Sequence, residues 1–198
     1  FESLISRARN SSVAFMLAKD YTHLLFVDTD VSFDAHDVLK LVDQQKEVVV
    51  GVYPKKYWSH QKMQALGSSG SFPEQWRHLA TDFSTELSPE SYTESKTAQT
   101  VEANYAATGF MLISRSCIEK IIRALPEIKY TNDIDGYMDA GDNFYDIFQC
   151  KVNPETKKYE SEDYGFCKLW KSLGGEITVL PDISLGHRGF NTYYGNLK

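Results

Sequence analysis

The strongest local signal in the sequence is His23-Leu24-Leu25-Phe26-Val27-Asp28-Thr29-Asp30, an apolar run that ends in two acids. A nearly continuous apolar run is typical of a strand that is buried on both faces of a parallel sheet, so we predict a buried strand from His23 to Val31. Asp28 and Asp30 lie towards its carboxyl end, which is the edge where open α/β sheets bind ligands. The pair is therefore the first candidate for a functional site.

Alternate residues of an extended segment point the same way, so Asp28 and Asp30 would converge on one point. Two carboxylates that close repel each other unless a cation joins them, and hard oxygen ligands suit Mg²⁺ or Mn²⁺. A solvated transition from strand to turn explains the same two residues without any ligand, because Asp is common in turns. The spacing alone leaves both interpretations open.

Helical and strand patterns alternate along the rest of the chain. We predict helices over the first twenty residues, over 35–45, over 116–125 and from Ser161 to about residue 173. Further strands are predicted over 47–53, on both sides of Gly109 within 101–114, and over 176–180. Residues 55–98 are predicted to be a functional loop with short elements, and the tail from 182 to be a loop. This order predicts an α/β fold whose mixed, mostly parallel sheet is flanked by helices.

Length and charge limit the possible classes of protein. The chain has 198 residues, which fits one domain over 1–198, and it starts inside a helical pattern, so a first strand is expected upstream of Phe1. The net charge of -6 argues against nucleic acid as a partner. No apolar run approaches the roughly 20 residues of a membrane span. Three Cys without a CxxC pair predict free, buried thiols in a reducing compartment, which favours the cytoplasm.

A second acidic pair, Glu162 and Asp163, follows Ser161 at the start of a predicted helix. A Ser cap followed by acids in the first turn is common, because the helix dipole favours negative charge there. The same position would keep a carboxylate ionised, as a general base requires. Both interpretations remain open.

Two further residues are candidates for binding. His187 lies between Gly186 and Gly189, where the backbone can approach a ligand closely, although a lone histidine in a loop is often a bystander. Arg9 lies two positions after Arg7 on the first predicted helix, so the two side chains face different ways and at most one of them enters a site. An ordinary solvated helix face explains both arginines as well.

Six segments, in this order along the chain, carry a resemblance to one family. They are Ala8-Arg9-Asn10, His23–Asp30, Val50–Lys56, Ala107–Ile113, Ser161–Cys167 and Asp182–His187. Together they resemble the GT-A glycosyltransferases, and in particular small family-2-like enzymes encoded by viruses and phages, such as those of chlorella viruses. The resemblance covers nearly the whole chain. It departs from the family in lacking the first strand and the uridine-contacting loop before Phe1.

The resemblance implies a metal site and a nucleotide site. Asp30 would bind Mn²⁺ or Mg²⁺ directly, Asp28 would reach the ribose or a metal-bound water, and His187 would complete the metal shell. Arg9 and Asn10 would contact the nucleotide. Lys55 would meet a phosphate, and Gly109 would leave room for the sugar.

The resemblance also implies a reaction. Asp163 would act as the base of an inverting, metal-dependent transfer from a UDP-sugar to a hydroxyl of a glycan or glycoprotein acceptor, with Glu162 as its substitute. For a virus-encoded enzyme this would take place in the host cytoplasm. Two alternatives remain: a phosphatase of the haloacid dehalogenase type with Asp28 as nucleophile, and a cation-dependent sugar-binding module without catalysis.

Overall fold

A computed structural model of the chain describes residues 2–68 and 76–198. Within them, the α-helices are α1 Ile5–Ala18, α2 Ala35–Asp43, α3 His60–Gly67, α4 Trp76–Leu79, α5 Pro89–Glu94, α6 Arg115–Ala124 and α7 Glu162–Ser172. The strands are β1 His23–Val27, β2 Val31–Ser32, β3 Val48–Val50, β4 Pro54–Trp58, β5 Thr81–Phe83, β6 Thr85–Leu87, β7 Val101–Ala106, β8 Phe110–Ser114, β9 Lys151–Val152, β10 Tyr159–Glu160, β11 Thr178–Val179, β12 Leu185–Arg188 and β13 Thr192–Gly195. The strand expected upstream of Phe1 lies outside the described residues.

The main sheet has six strands in the order β1-β8-β3-β11-β7-β6. It is a mixed sheet, because β11 runs parallel to β3 and antiparallel to β7, while β6 is antiparallel to β7. Helices accompany it, so the protein is a mixed α/β protein, as the alternating pattern predicts.

The first strand differs from its prediction in length and in burial. β1 ends at Val27, and its two end residues, His23 and Val27, are exposed while the three between them are half-buried. The reason is position: β1 is the last strand at one edge of the described sheet, so it is not covered as a central strand would be. β3 and β8, which lie further inside the sheet, are buried throughout, and the three valines of β3 are inaccessible to solvent.

The tail contains strands where a loop is predicted. β12 pairs antiparallel with both β13 and β2, which gives a three-stranded sheet in the order β13-β12-β2. The sequence of β12, Leu-Gly-His-Arg, has no clear alternation, so its pattern gives no strand signal. β12 is a strand because it pairs with β13 and with β2, which is distant along the chain, and not because of its own sequence pattern.

Residue contacts divide the chain into two compact units. The first comprises Phe1–Leu25, Lys46–Val48 and Leu112–Ile177, and the second comprises Phe26–Gln45, Val49–Met111 and Thr178–Lys198. In the first unit, the buried apolar side chains include Ile118, Ile121, Phe148, Phe166 and Trp170. In the second, they include Val49, Val50, Phe110, Met111, Ile183 and Leu185. The alternation of elements along the chain predicts one domain and does not indicate this division.

The described residues also bear on the expectations for membrane spans and for the cysteines. None of their helices combines the length and the apolar character that crossing a membrane requires. All three cysteines are free, and Cys117 and Cys167 are buried as predicted, but Cys150 is exposed.

Candidate functional site

The first acidic pair occupies a turn between β1 and β2 in the second unit. The amide of Asp28 donates to the carbonyl of Gly109 at 3.0 Å, and the amide of Val31 donates to the carbonyl of Asp28 at 3.0 Å. The extended strand predicted through Val31 is therefore interrupted, and Asp28 and Asp30 lie on a turn. Strict alternation of side chains does not apply to them.

Pairing between β2 and β12 brings His187 to this turn. His187 lies opposite Val31 in the antiparallel register, and the amide of Arg188 donates to the carbonyl of Asp30 at 2.8 Å. As a result, Nε2 of His187 lies 3.5 Å from Oδ1 of Asp30. Two residues that are far apart in the sequence are thus held together by the backbone of a small sheet.

The other nitrogen of this imidazole is fixed by the main chain. Nδ1 of His187 lies 2.8 Å from the carbonyl oxygen of Pro54, which can only accept, so Nδ1 carries the hydrogen. The ring also packs edge-on against Tyr53, with 4.9 Å between centroids. In the neutral ring, Nε2 therefore presents its lone pair to the Asp30 carboxylate, and only a proton on Nε2 or a cation makes that contact favourable.

Lys56 holds the second oxygen of the same carboxylate. Its Nζ lies 2.5 Å from Oδ2 of Asp30, and both side chains are about four-tenths exposed, at 38% and 40%. The Lys56 hydrogen bond, followed by the charges of Lys56 and His187, lowers the pKa of Asp30 below its ordinary value. Asp30 is consequently an ionised carboxylate with a different partner on each oxygen.

Lys55, which the resemblance assigns to phosphate, faces away from this cluster. It lines a cavity of about 460 Å³ together with Asp82 and Tyr92. Successive side chains of a strand point to opposite faces, so in β4 only one of the two lysines can approach Asp30. The structure places Lys56 there.

Asp28 and Gly109 are in close contact. A Cβ atom added to Gly109 would lie 2.7 Å from Oδ2 of Asp28 and 2.6 Å from the Tyr53 hydroxyl oxygen. A side chain at this position would force Asp28 or Tyr53 to move. The space that the missing side chain leaves is taken by Tyr53 and Asp28.

A divalent ion fits the pair formed by Asp30 and His187. Among residues 2–68 and 76–198, no three His, Cys, Asp or Glu side chains form a metal-binding group, so the protein ligands would be these two. Neighbouring ligands of an octahedral Mg²⁺ are separated by about 3 Å, close to the observed 3.5 Å. Ions of this kind usually combine one or two carboxylates with water and substrate phosphates, and a ligating histidine commonly donates its other N–H to a carbonyl.

The second acidic pair lies in the first unit and has different partners. Glu162 is largely buried, and its Oε1 lies 3.4 Å from Nε of Arg9, which is also buried. Arg9, predicted to contact a nucleotide, is therefore engaged in an ion pair that joins α1 to α7. Glu162 is engaged by the same contact.

Asp163 interacts with its own neighbours along the chain. Its Oδ1 accepts hydrogen bonds from the Ser161 hydroxyl and from the Tyr164 amide, the latter at 2.8 Å. α7 begins directly after Ser161 as predicted, but the Ser161 hydroxyl donates to Asp163 and makes no capping bond to the helix backbone. Asp163 is half-buried.

Asn10, the second residue predicted to contact a nucleotide, is buried in the first unit. Its Nδ2 donates to Asp146 at 2.9 Å, and its Oδ1 accepts from the amides of Ile147 and Phe148 at 3.1 and 2.9 Å. These bonds hold the segment 146–148 against α1. A structural role accounts for all of them.

Lys56 and the Pro54 carbonyl are not among the site residues predicted from the sequence. β4 begins at Pro54 and continues into the region 55–98 that is predicted as a loop, and Pro is compatible with the first residue of a strand. Had the strand been recognised, alternation would have separated Lys55 from Lys56. The acceptor role of a backbone carbonyl leaves no signal in side-chain identities.

Comparisons with known proteins give little further information. No protein-family model and no curated protein matches the sequence. Ten chains of solved structures match, among them one described as "Crystal Structure of A197 from STIV". That structure has a TM-score of 0.45 and 16% sequence identity, and the match covers 98% of this chain and 78% of the other. The case for a function therefore depends on the chemistry of the site.

Proposed function

We propose that this protein is a GT-A glycosyltransferase that moves a sugar from a UDP-sugar to an acceptor hydroxyl with inversion, using Mn²⁺ or Mg²⁺. The proposal depends mainly on the geometry of His187. Its Nδ1 donates to the Pro54 carbonyl, and its Nε2 faces the ionised Asp30 carboxylate at 3.5 Å. A carboxylate oxygen and an imidazole lone pair that face each other are a ligand pair suited to a divalent metal ion, which supports the proposal.

The mixed α/β fold and the position of the acids agree with this class. Asp28 and Asp30 directly follow β1, at the strand end where ligands of α/β sheets bind. The acidic overall charge also agrees with a protein that binds a cation. The acceptor would be a hydroxyl of a glycan or glycoprotein.

In the proposed reaction, the bond between the anomeric carbon and the diphosphate oxygen breaks, and its electron pair remains on the diphosphate. The acceptor oxygen forms the new bond on the opposite face of the sugar, which inverts the anomeric centre. The acceptor proton passes to a carboxylate. The divalent ion would stabilise the negative charge that grows on the leaving diphosphate.

The residues divide these tasks. Asp30 and His187 would hold the ion, and Asp28 would bind the ribose or a metal-bound water. Asp163 is the proposed base, because it accepts from the neutral Ser161 hydroxyl and Tyr164 amide, whereas Glu162 is paired with the Arg9 guanidinium. An alternative role for Glu162 as the base is less well supported for the same reason.

Calorimetry with UDP, GDP and CMP, each with and without Mn²⁺, tests the proposal. UDP should bind more tightly with Mn²⁺ than without it, and more tightly than GDP or CMP. Equal UDP binding with and without the ion would contradict the proposed metal site. Binding of free sugar without any nucleotide would favour a sugar-binding module, and an aspartyl-phosphate trapped at Asp28 would favour a phosphatase.

A further inference from the structure

We propose that Lys56 is a diphosphate-binding residue of this site and acts as a second, built-in cation beside the divalent ion. The inference rests on the proposed function and assigns to this lysine a role that the sequence resemblance gives to Lys55. It concerns the second unit alone, where Lys56, Asp30 and His187 all lie.

The two oxygens of Asp30 have separate partners. Oδ2 contacts Nζ of Lys56 at 2.5 Å, whereas Oδ1 faces Nε2 of His187 at 3.5 Å. One oxygen therefore remains available to a metal ion on the histidine side while the ammonium holds the other. Because a lysine ammonium has three donors, Lys56 can bind Asp30 and still donate to a phosphate oxygen.

The methylene chain of Lys56 packs near Gly189, the residue that follows β12. A Cβ atom added to Gly189 would lie 3.3 Å from Cδ and 3.9 Å from Cγ of Lys56, so the methylene chain passes close to this glycine. The Lys56 side chain as a whole is 38% exposed, which leaves it accessible to a ligand from solvent. The lysine is thus directed towards Asp30 and remains reachable.

The proposed role of Lys56 follows from the sum of the charges in the metal site. Asp28 and Asp30 together carry two negative charges, which would offset the whole charge of a divalent ion. The site would then have no net attraction for the anionic diphosphate of the donor. With Lys56 the cluster keeps a net positive charge, and that charge stabilises the leaving diphosphate where its negative charge grows.

The same geometry predicts two opposite effects when the lysine is removed. Without nucleotide, the ammonium competes with the metal ion for Asp30, so Lys56→Met should bind Mn²⁺ about three- to tenfold more tightly. With saturating Mn²⁺, the variant should bind UDP about tenfold more weakly, because a hydrogen bond from a charged donor is lost. A purely structural role would not move the two affinities in opposite directions.

Lys55→Met is the matched control, since it removes the same charge from the opposite face of the same strand. Both affinities of this variant should stay within about twofold of the unmodified protein. Lys56→Arg should restore most of the UDP affinity, because a guanidinium also binds phosphate. Isothermal titration of Mn²⁺ and of UDP measures each case, and thermal unfolding checks that every variant is folded.

The outcomes separate this inference from the proposed function. If the unmodified protein shows no Mn²⁺-dependent UDP binding, both fail. If it does, but Lys56→Met and Lys55→Met behave alike, only the role of Lys56 is overturned. A Lys56→Met variant that loses affinity for Mn²⁺ as well as for UDP would overturn it too, because the lysine would then only position Asp30.

Discussion

The two acidic pairs of this protein look alike in the sequence and differ in their surroundings. Asp30 is four-tenths exposed, and its partners are Lys56 and a distant histidine. Glu162 is buried against Arg9, and Asp163 is bound by its sequence neighbours. A ligand can therefore exchange with the partners of Asp30, whereas Glu162 stabilises the fold. The difference teaches that the partner of each carboxylate, and not the spacing of the acids, separates a candidate ligand site from a structural contact.

The largest expected effect comes from Asp30→Asn. Removing the charge of the carboxylate that faces His187 should lower Mn²⁺ affinity and reduce sugar transfer about 1000-fold. Titration with Mn²⁺ and a donor-turnover assay measure the two quantities. Asp43→Asn, an exposed acid at the end of α2, is the control and should leave both unchanged. Unaltered Mn²⁺ affinity in Asp30→Asn would remove this carboxylate from the metal site.

Asp163→Asn should sharpen the contrast between the two pairs. As the loss of a general base, it should reduce transfer about 100- to 10,000-fold while Mn²⁺ and UDP affinities remain nearly intact. Turnover and titration on the same preparation separate the chemical step from binding. Unchanged turnover would exclude Asp163 from the mechanism.

Arg9→Met tests whether the ion pair between Arg9 and Glu162 stabilises the fold. It would leave Glu162 buried without its cation, so the free energy of unfolding should fall by about 3 kcal/mol. Urea unfolding measures the loss, and the double variant Arg9→Met/Glu162→Gln should recover much of it. If the single variant is as stable as the unmodified protein, the ion pair contributes little to the fold.

The smallest expected effect is a pH dependence of the folding stability that arises from Glu160, close in sequence to the second acidic pair. Hydrogen bonds from Lys168 and then from Asn153 lower the pKa of Glu160 below its ordinary value of 4.5. The carboxylate should therefore stabilise the fold above pH 4.5, and this contribution should disappear as the pH falls through the lowered pKa. The gain should stay below about 1 kcal/mol because the Lys168 side chain is exposed.

Unfolding of Glu160→Gln at several pH values would detect this effect. The difference from the unmodified protein should be constant above pH 4.5 and shrink below it. The exposed Glu127→Gln variant supplies the baseline for removing a negative charge. A difference that grows on acidification would contradict the assigned cause.

Part of the fold follows from local patterns. The sequence predicts the alternation of helices and strands, the start of α7 after Ser161, and the acids at the end of β1, because capping residues and apolar runs act within a few positions. It does not predict β12 or β4. β12 depends on pairing with β2, whose residues are more than 150 positions away in the sequence, and such contacts leave no local period.

The sequence identifies some residues of the candidate site but not the contacts between them. Asp30 and His187 are both candidates from the sequence, but their contact requires the register of two strands. Lys56 could not be distinguished from Lys55 without knowing that β4 is a strand. The ion pair between Arg9 and Glu162 also joins distant helices, so spacing along the chain gives no indication of it.

The carbonyl of Pro54 determines which nitrogen of His187 is free, and no exchange of side chains removes it. An alanine scan would therefore pass over one of the groups that set the basicity of the imidazole. Chemical ligation offers a direct route: replacing residue 55 by the corresponding α-hydroxy acid converts the Pro54 carbonyl into a weaker ester acceptor. The histidine would then tautomerise more freely, and the ring-nitrogen chemical shifts of His187 would report the change.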